Sequence, residues 1–167
     1  MAKAVSLTRA RLSEVLSFDA ESGAFTWRVS RGRSAKRGQI AGYARADGYS
    51  TIKVDGRRYY AHRLAWFWVH GEWPSEIDHV SGNPAQNGKG LLRPATHSQN
   101  LANAKRRSDN SSGFKGVSLN KRTKRWRAQI TKDGVGRHLG EFDTPQEAHR
   151  AYVAAARRIH GRFARAA

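Results

Sequence analysis

The residues of this sequence that are best suited to catalysis are an Asp-His pair at positions 78 and 79. It lies in the polar segment 76–100, which ends on Asn100. Carboxylate and amide oxygens suit Mg²⁺, which keeps water in its remaining coordination positions. An imidazole titrates near neutral pH and can take a proton from such a water. The pattern therefore predicts one divalent metal ion held by Asp78 and Asn100, with His79 as the base.

The charge of the chain indicates what such a site would act on. Lys and Arg number 31 against 13 Asp and Glu, which gives a net charge of +18. An excess this large predicts a polyanionic partner, because cations that neutralise phosphates release counterions. Arg93 and His97 lie between the Asp-His pair and Asn100, where they could position phosphates. The residues thus favour metal-assisted hydrolysis of nucleic-acid phosphodiesters.

The composition also excludes several classes of protein. The chain has no Cys, so disulfides and Cys-ligated zinc are excluded and no structural zinc is expected. The longest apolar stretch, 64–69, is too short to cross a bilayer. The N-terminal residues lack the apolar run of a signal peptide. We expect a cytoplasmic protein with no membrane partner. The oligomeric state is unknown, and a monomer is favoured.

The first half of the chain reads as helices and short strands that lead to the Asp-His pair. Thr8 suits a helix N-cap, and Asp55-Gly56 predicts a two-residue hairpin turn. Residues 62–70 read as a short buried helix, and a further helix follows the polar segment to about Lys105. The basic loop 30–38 either touches phosphate or is merely solvated, and its sequence favours neither.

The second half predicts three strands and one helix. Strands are expected at 114–120, 125–131 and 137–142, and the sequence from Thr144 to Glu147 is a capping box that starts a helix. Strict alternation along the middle strand puts Trp126, Ala128 and Ile130 towards that helix. The opposite face then carries Arg125, Arg127, Gln129 and Thr131. The predicted fold class is α+β, with this sheet packed on an Ala-rich helix.

The order of motifs from His62 to Asn103 resembles that of a known enzyme family. AHRLAW, GEWP, IDH, GN, LR, AT and SQN follow one another as in the HNH endonucleases of bacteriophages and their intron-borne homing relatives. The resemblance implies a ββα-metal core and, if a phage encodes the chain, a location in the cytoplasm of a bacterial host cell. It also implies that His79 is the general base and that Asp78 and Asn100 bind one divalent metal ion, Mg²⁺ or Mn²⁺.

One position departs from the pattern of that family. The Asn that precedes Leu-Arg in the family, and orients the catalytic His, is Leu91 here. A Leu side chain forms no hydrogen bond, so Asn87 or Asn83 would have to take over the orienting role. The alternative is a catalytically impaired, HNH-derived protein that binds DNA without cutting it.

The second half resembles the DNA-binding domain of plant ethylene-response transcription factors, of the Apetala/ERF type. The resemblance covers 114–163 and rests on KGV, KRWRAQI and HLGEFDTPQEAHRAYVAAARRIHG. It implies a three-stranded sheet that lies in the major groove of DNA. The DNA-binding residues predicted on this basis, together with the basic residues at the strand starts, are Lys115, Ser118, Arg125, Arg127, Gln129, Thr131, Arg137 and His138.

These observations predict a two-part protein. Residues 1–104 form an HNH endonuclease-like domain, with an extension at 1–61 and the core at 62–104; 105–113 are a linker, and 114–167 are the ERF-type domain. Double-stranded DNA is the expected partner, and the sheet domain is expected to select the site that the HNH half cuts. An RNA-binding accessory protein is the third alternative, since a basic sheet with a helix also suits RNA.

Overall fold

The computed structural model describes residues 7–165, so the stretch 1–6, where no signal peptide is expected, lies outside the described residues, as do 166 and 167. Helices and antiparallel sheets alternate along the chain, and this confirms the predicted α+β class. Backbone contacts divide the chain into one unit up to Pro94 and another from Ala95 onwards. Across the described range, no helix has the length and apolar character needed to cross a membrane.

From residue 7 onwards, the first unit is built of two helices and three small sheets. The sheets have the strand orders β1-β2-β3, β4-β5-β6 and β7-β8. The helices are α1 (Arg9–Val15) and α2 (Ala61–His70), and the strands are β1 (Leu16–Phe18), β2 (Phe25–Trp27), β3 (Ile40–Ala41), β4 (Tyr43–Ala44), β5 (Ser50–Val54), β6 (Arg57–Tyr60), β7 (Glu76–His79) and β8 (Leu92–Ala95).

Local signals in the sequence set the ends of these elements. The Thr8 side chain accepts a hydrogen bond from Arg11 N at 3.1 Å, which confirms it as the N-cap of α1. The turn between β5 and β6 has positive φ at both central residues, 46° at Asp55 and 82° at Gly56. Primed two-residue turns require this conformation, so the predicted hairpin is confirmed. Gly71, in the left-handed conformation, ends α2.

One hydrophobic core holds the first unit together. It joins α1, the β1-β2 hairpin, β5 and α2, and its most deeply buried members include Leu12, Phe25, Ile52 and Leu64. Phe67 of α2 is buried in this core, as predicted. Helix α2 packs against β5 and β6.

The second unit is a three-stranded sheet covered by one long helix. The strand order is β11-β10-β9, with α4 packed on the sheet through small side chains such as Ala148, Ala155 and Ala156. The capping box of Thr144 and Glu147 is present with both of its hydrogen bonds, as predicted. The elements are α3 (His97–Asn103), β9 (Val117–Leu119), β10 (Trp126–Lys132), β11 (Val135–Phe142), α4 (Pro145–His160) and a 3₁₀ helix, η1 (Gly161–Phe163).

Helix α3 belongs to the second unit by its contacts. Ala102 is buried together with Phe163 of η1. The Lys115 Nζ donates to the carbonyl oxygens of Ala102 and Ala104, at 2.6 Å each. The contact boundary therefore falls before α3, and the predicted linker 105–113 lies within the second unit.

Candidate active site and nucleic-acid interface

The Asp-His pair lies at the end of strand β7 and is buried. Asp78 is 6% exposed and His79 is 5% exposed. The Nε2 of His79 lies 3.1 Å from Oδ1 of Asn87, which is also buried. Since a carboxamide oxygen only accepts hydrogen bonds, this contact puts the proton on Nε2 and the lone pair on Nδ1. The imidazole is thus held in one tautomer by a neighbouring side chain.

The loop between β7 and β8 is anchored so that Asn87 reaches His79. Lys89 N donates to Ala20 O at 2.6 Å, and Val80 N donates to Leu91 O at 2.9 Å. A Cβ on Gly88 would collide with the carbonyl oxygen of Glu21, so only glycine permits this close approach of the two backbone segments. The loop therefore docks on the turn before β2 and presents Asn87 inward.

This geometry shows which amide occupies the place beside the imidazole. Leu91, at the expected Asn position, contributes its backbone carbonyl to the end of β7. Asn83 is exposed, and its Oδ1 accepts from Ala85 N at 3.1 Å within its own turn. Of the two candidates that the sequence left open, Asn87 is the one whose side chain contacts His79.

Two rings contact His79, and a third ring contacts them in turn. The ring centroid of His62 lies 5.1 Å from that of His79, and the Tyr49 centroid lies 5.8 Å away. Tyr60 in turn lies 5.4 Å from His62. The sequence predicted only that His62 starts a buried helix. A single His at this position belongs to no spacing pattern that would link it to position 79.

The protein environment favours neutral imidazoles at this site. Burial lowers the pKa of His79, although the hydrogen bond to Asn87 and the charge of Asp78 oppose it. Burial is also the main cause that lowers the pKa of His62 to about 3, with smaller contributions from His79 and Arg63. A neutral His79 has the lone pair that a general base needs near pH 7.

Asp78 forms a buried ion pair with Arg93 of the neighbouring strand β8. The Oδ2 of Asp78 accepts from Arg93 Nε at 2.7 Å and lies 2.6 Å from Arg93 Nη2. Arg93 had been predicted to position phosphate, but the structure places its guanidinium on the predicted metal ligand. The carboxylate is charge-compensated, as a buried carboxylate has to be.

The predicted residues Asn100 and His97 lie on α3, which belongs to the second unit. Asn100 is half-buried and His97 is exposed. Within 7–165, the structure has no group of three or more His, Cys, Asp or Glu side chains placed to bind a metal ion. The Asp78 carboxylate and the Asn100 amide each offer an oxygen of the kind that Mg²⁺ prefers, and their role as metal ligands stays a prediction.

The outer face of the β9-β10-β11 sheet carries most of the predicted DNA-binding residues. Strand register pairs Arg127 with Ser118 and Gln129 with His138, and cross-strand pairs share a face. Ala128 and Ile130 are buried on the other face, beneath α4, which confirms the predicted alternation. The exposed set on the outer face is Ser118, Arg127, Gln129, Thr131 and His138.

Three predicted DNA-binding residues have a different placement. The Lys115 ammonium lies against the last carbonyl groups of α3, and burial lowers its pKa to about 8. Arg137 pairs with the buried Ile130, so the register puts it on the helix side of the sheet although it is exposed. Arg125 forms an ion pair with Asp143 at 3.1 Å. Their roles on DNA stay predictions.

Comparison with known proteins gives two family matches on this chain. The model described as HNH endonuclease matches residues 59–102, and the AP2 domain model matches 112–162. Protein 3.8 of Escherichia phage T7 is 34% identical over 107 residues, which cover 62% of this chain and 87% of that protein. An uncharacterized HNH endonuclease of Acanthamoeba polyphaga mimivirus is 32% identical over 98 residues, 58% of this chain and half of that protein. No solved structure matches significantly.

Proposed function

Since the chain belongs to the family of phage T7 protein 3.8 and joins an HNH endonuclease domain to an AP2 domain, we propose that it is a divalent-metal-dependent DNA endonuclease. One observation carries this proposal. A buried, neutral His79 is held by Asn87 through Nε2 and lies next to the Asp78 carboxylate. This arrangement supports a role for His79 as a positioned general base and for Asp78 as a metal ligand.

His79 would act through its Nδ1. Because the Nε2 proton is donated to Asn87, Nδ1 carries the lone pair that can take a proton from a water. That water then attacks the phosphorus of a phosphodiester bond, and the bond to the leaving sugar oxygen breaks. Asn87 acts as a positioning residue, since it fixes the tautomer and the orientation of the ring without touching the reacting atoms.

Asp78 and Asn100 would hold the metal ion, since both offer the oxygen atoms that Mg²⁺ and Mn²⁺ prefer. When bound, such an ion supplies positive charge to a phosphoryl oxygen and to the leaving oxygen. Arg93 shares the Asp78 carboxylate and would have to keep its ion pair through one oxygen or move to a phosphate. Few protein ligands are needed, because Mg²⁺ sites commonly use water and substrate phosphate as well.

The AP2 domain would choose where the chain cuts. Its outer sheet face presents Arg127, Gln129 and His138 side by side. An arginine can form a bidentate contact with guanine and a glutamine with adenine in the major groove. We therefore propose double-stranded DNA as the substrate, with the sheet reading bases and the HNH domain hydrolysing the backbone.

A DNA-binding protein that no longer cuts is the second candidate. The observation that favours it is the buried Arg93 contact on Asp78, which compensates the carboxylate without a metal ion. Leu91 at the usual Asn position also favours this candidate, although Asn87 occupies the place beside His79. The two candidates differ in cleavage and agree in DNA binding.

Incubation of the full chain with supercoiled plasmid separates them. We expect nicked or linear DNA with Mg²⁺ or Mn²⁺, and none with EDTA. His79→Ala should lower the cleavage rate by about 10²–10⁴-fold and leave DNA affinity nearly unchanged. Asp78→Ala should weaken Mn²⁺ binding measured by calorimetry. An uncut plasmid at all metal concentrations, with normal DNA affinity, would establish the non-cutting candidate.

A further inference from the structure

The sheet β4-β5-β6 of the first unit has an outer face to which no role has yet been given. Strand register places Tyr43, Thr51 and Tyr60 side by side on it, with Lys53 opposite Arg58. The other face packs Ile52 and Val54 into the core. Tyr43 is 67% exposed, and Lys53 and Arg58 are exposed as well. The outer face is therefore an open surface that mixes aromatic rings and cations.

This face continues into a groove of about 610 Å³. The polar residues that line it are Arg31, Ser34, Tyr43, Thr51, Lys53 and Arg58, and no acidic side chain is among its lining residues. Arg31 is already paired with Asp55 at 2.8 Å. Lys53 and Arg58 form no ion pair with any described residue, so their charges are available to an anion outside the chain.

The floor of the groove has an unsatisfied hydroxyl group. Thr51 is 6% exposed, and its Oγ1 has no hydrogen-bond partner within the described structure. A buried polar group without a partner is costly. Because this oxygen is closed off from solvent, a phosphate oxygen would satisfy it only after the side chains that cover it had moved.

The same face leads towards the candidate base. Tyr60 is at its edge, in ring contact with His62 at 5.4 Å, and His62 contacts His79 at 5.1 Å. Arg45 lies 5.6 Å over the Tyr60 ring at this edge, and its charge is paired with Asp47 at 3.0 Å. A polyanion that follows the face would thus run towards the residues proposed to hydrolyse it.

We infer that the outer face of the β4-β5-β6 sheet binds the sugar-phosphate backbone of the DNA that is to be cut. This inference rests on the proposed function and deepens it, since it gives the endonuclease half a DNA-binding surface of its own, separate from the AP2 domain. The exposed Lys53 and Arg58 contact phosphates, and Tyr43 packs on the sugars. Backbone contacts of this kind position DNA without reading its sequence.

The salt dependence of DNA affinity tests this inference on the full chain. The double variant Lys53→Gln/Arg58→Gln removes two exposed, unpaired cations and should lower the slope of log K against log [salt] by about 2, one for each lost phosphate contact. The charge-matched control is Arg150→Gln/Arg157→Gln on the exposed side of α4, which should keep the wild-type slope. Equal slopes in both double variants, or a wild-type slope in the first, would overturn the inference.

Protection from a thiol reagent gives a second readout on a chain that has no Cys. A single Tyr43→Cys variant should react more slowly with a neutral maleimide when duplex DNA is bound. The control is Val69→Cys, in the same unit and 52% exposed, which should react at the same rate with and without DNA. No protection at position 43, or equal protection at both positions, would contradict the proposed surface.

These measurements do not depend on cleavage. A wild-type protein that fails to cut plasmid, yet loses salt dependence in Lys53→Gln/Arg58→Gln, would refute the endonuclease proposal and keep the DNA-binding face. If the wild-type protein cuts plasmid and its DNA binding is unaffected by changes at Lys53, Arg58 and Tyr43, the endonuclease proposal is kept and the DNA-binding face is refuted. Melting curves of every variant check that the fold is kept.

Discussion

Replacement of Asn87 tests how the candidate base is held. Asn87→Ala removes the oxygen that accepts the Nε2 proton of His79 at 3.1 Å. Loss of such an orienting contact commonly costs about 10–100-fold in activity. The matched control is Asn83→Ala, an exposed amide in the same loop that contacts only its own turn, and it should cut at the wild-type rate.

Asn87→Asp keeps the geometry and adds a charge. At 3.1 Å and an effective dielectric constant of about 20, a unit charge would stabilise the imidazolium by about 5 kcal/mol. Desolvation of the new buried carboxylate offsets much of this, so the pKa of His79 should rise by about one to two units. In Asn87→Ala the pKa should instead fall, because the existing hydrogen bond raises it.

The sign of these changes is visible in the pH dependence of cleavage. The cleavage rate falls on the acid side of its pH profile, where His79 becomes protonated and inactive. This acid limb should move to higher pH in Asn87→Asp and to lower pH in Asn87→Ala. Titration of His79 by NMR reports the same pKa changes even if a variant does not cut. If the acid limb and the NMR titration of His79 are unchanged in Asn87→Asp, the orienting role of Asn87 is refuted. A reduced cleavage rate in Asn83→Ala would refute it as well.

Three further predictions concern other parts of the chain. Burial lowers the pKa of His62 to about 3 in the folded state, so its contribution to stability is present above the ordinary value of 6.5 and is lost as the pH falls towards 3. Between pH 6.5 and 5 the free energy of unfolding should drop by about 2 kcal/mol, and urea denaturation should show a smaller drop in His62→Phe. Lys115→Met should lower the melting temperature with little effect on DNA affinity, because the ammonium holds two carbonyl groups at the end of α3; a large loss of affinity without loss of stability would contradict this. Arg127→Ala should relax base preference at one position by about 1–3 kcal/mol, whereas Arg137→Ala, on the helix side of the sheet, should leave preference unchanged in a binding-site selection experiment.

The sequence predicted those features that depend on neighbouring residues. The cap at Thr8, the primed turn at Asp55-Gly56 and the capping box at Thr144 were all correct, because each is fixed by hydrogen bonds or φ angles within four residues. The alternation along β10 was correct for the same reason, since the period of a strand is a local property. The motif order from His62 to Asn103 indicated the family that the comparisons confirm.

Only the tertiary structure decided which side chains meet. Asn87 rather than Asn83 contacts His79, because the loop between β7 and β8 docks on the backbone of a turn more than sixty residues earlier in the chain. The partner of Asp78, the ring of His62 beside the base, and the place of Lys115 under α3 have the same origin. Contacts between residues distant in sequence depend on how the whole chain packs. Sequence spacing therefore identified the kinds of residue that this site uses. The packing of loops and sheets determined which particular residues come into contact.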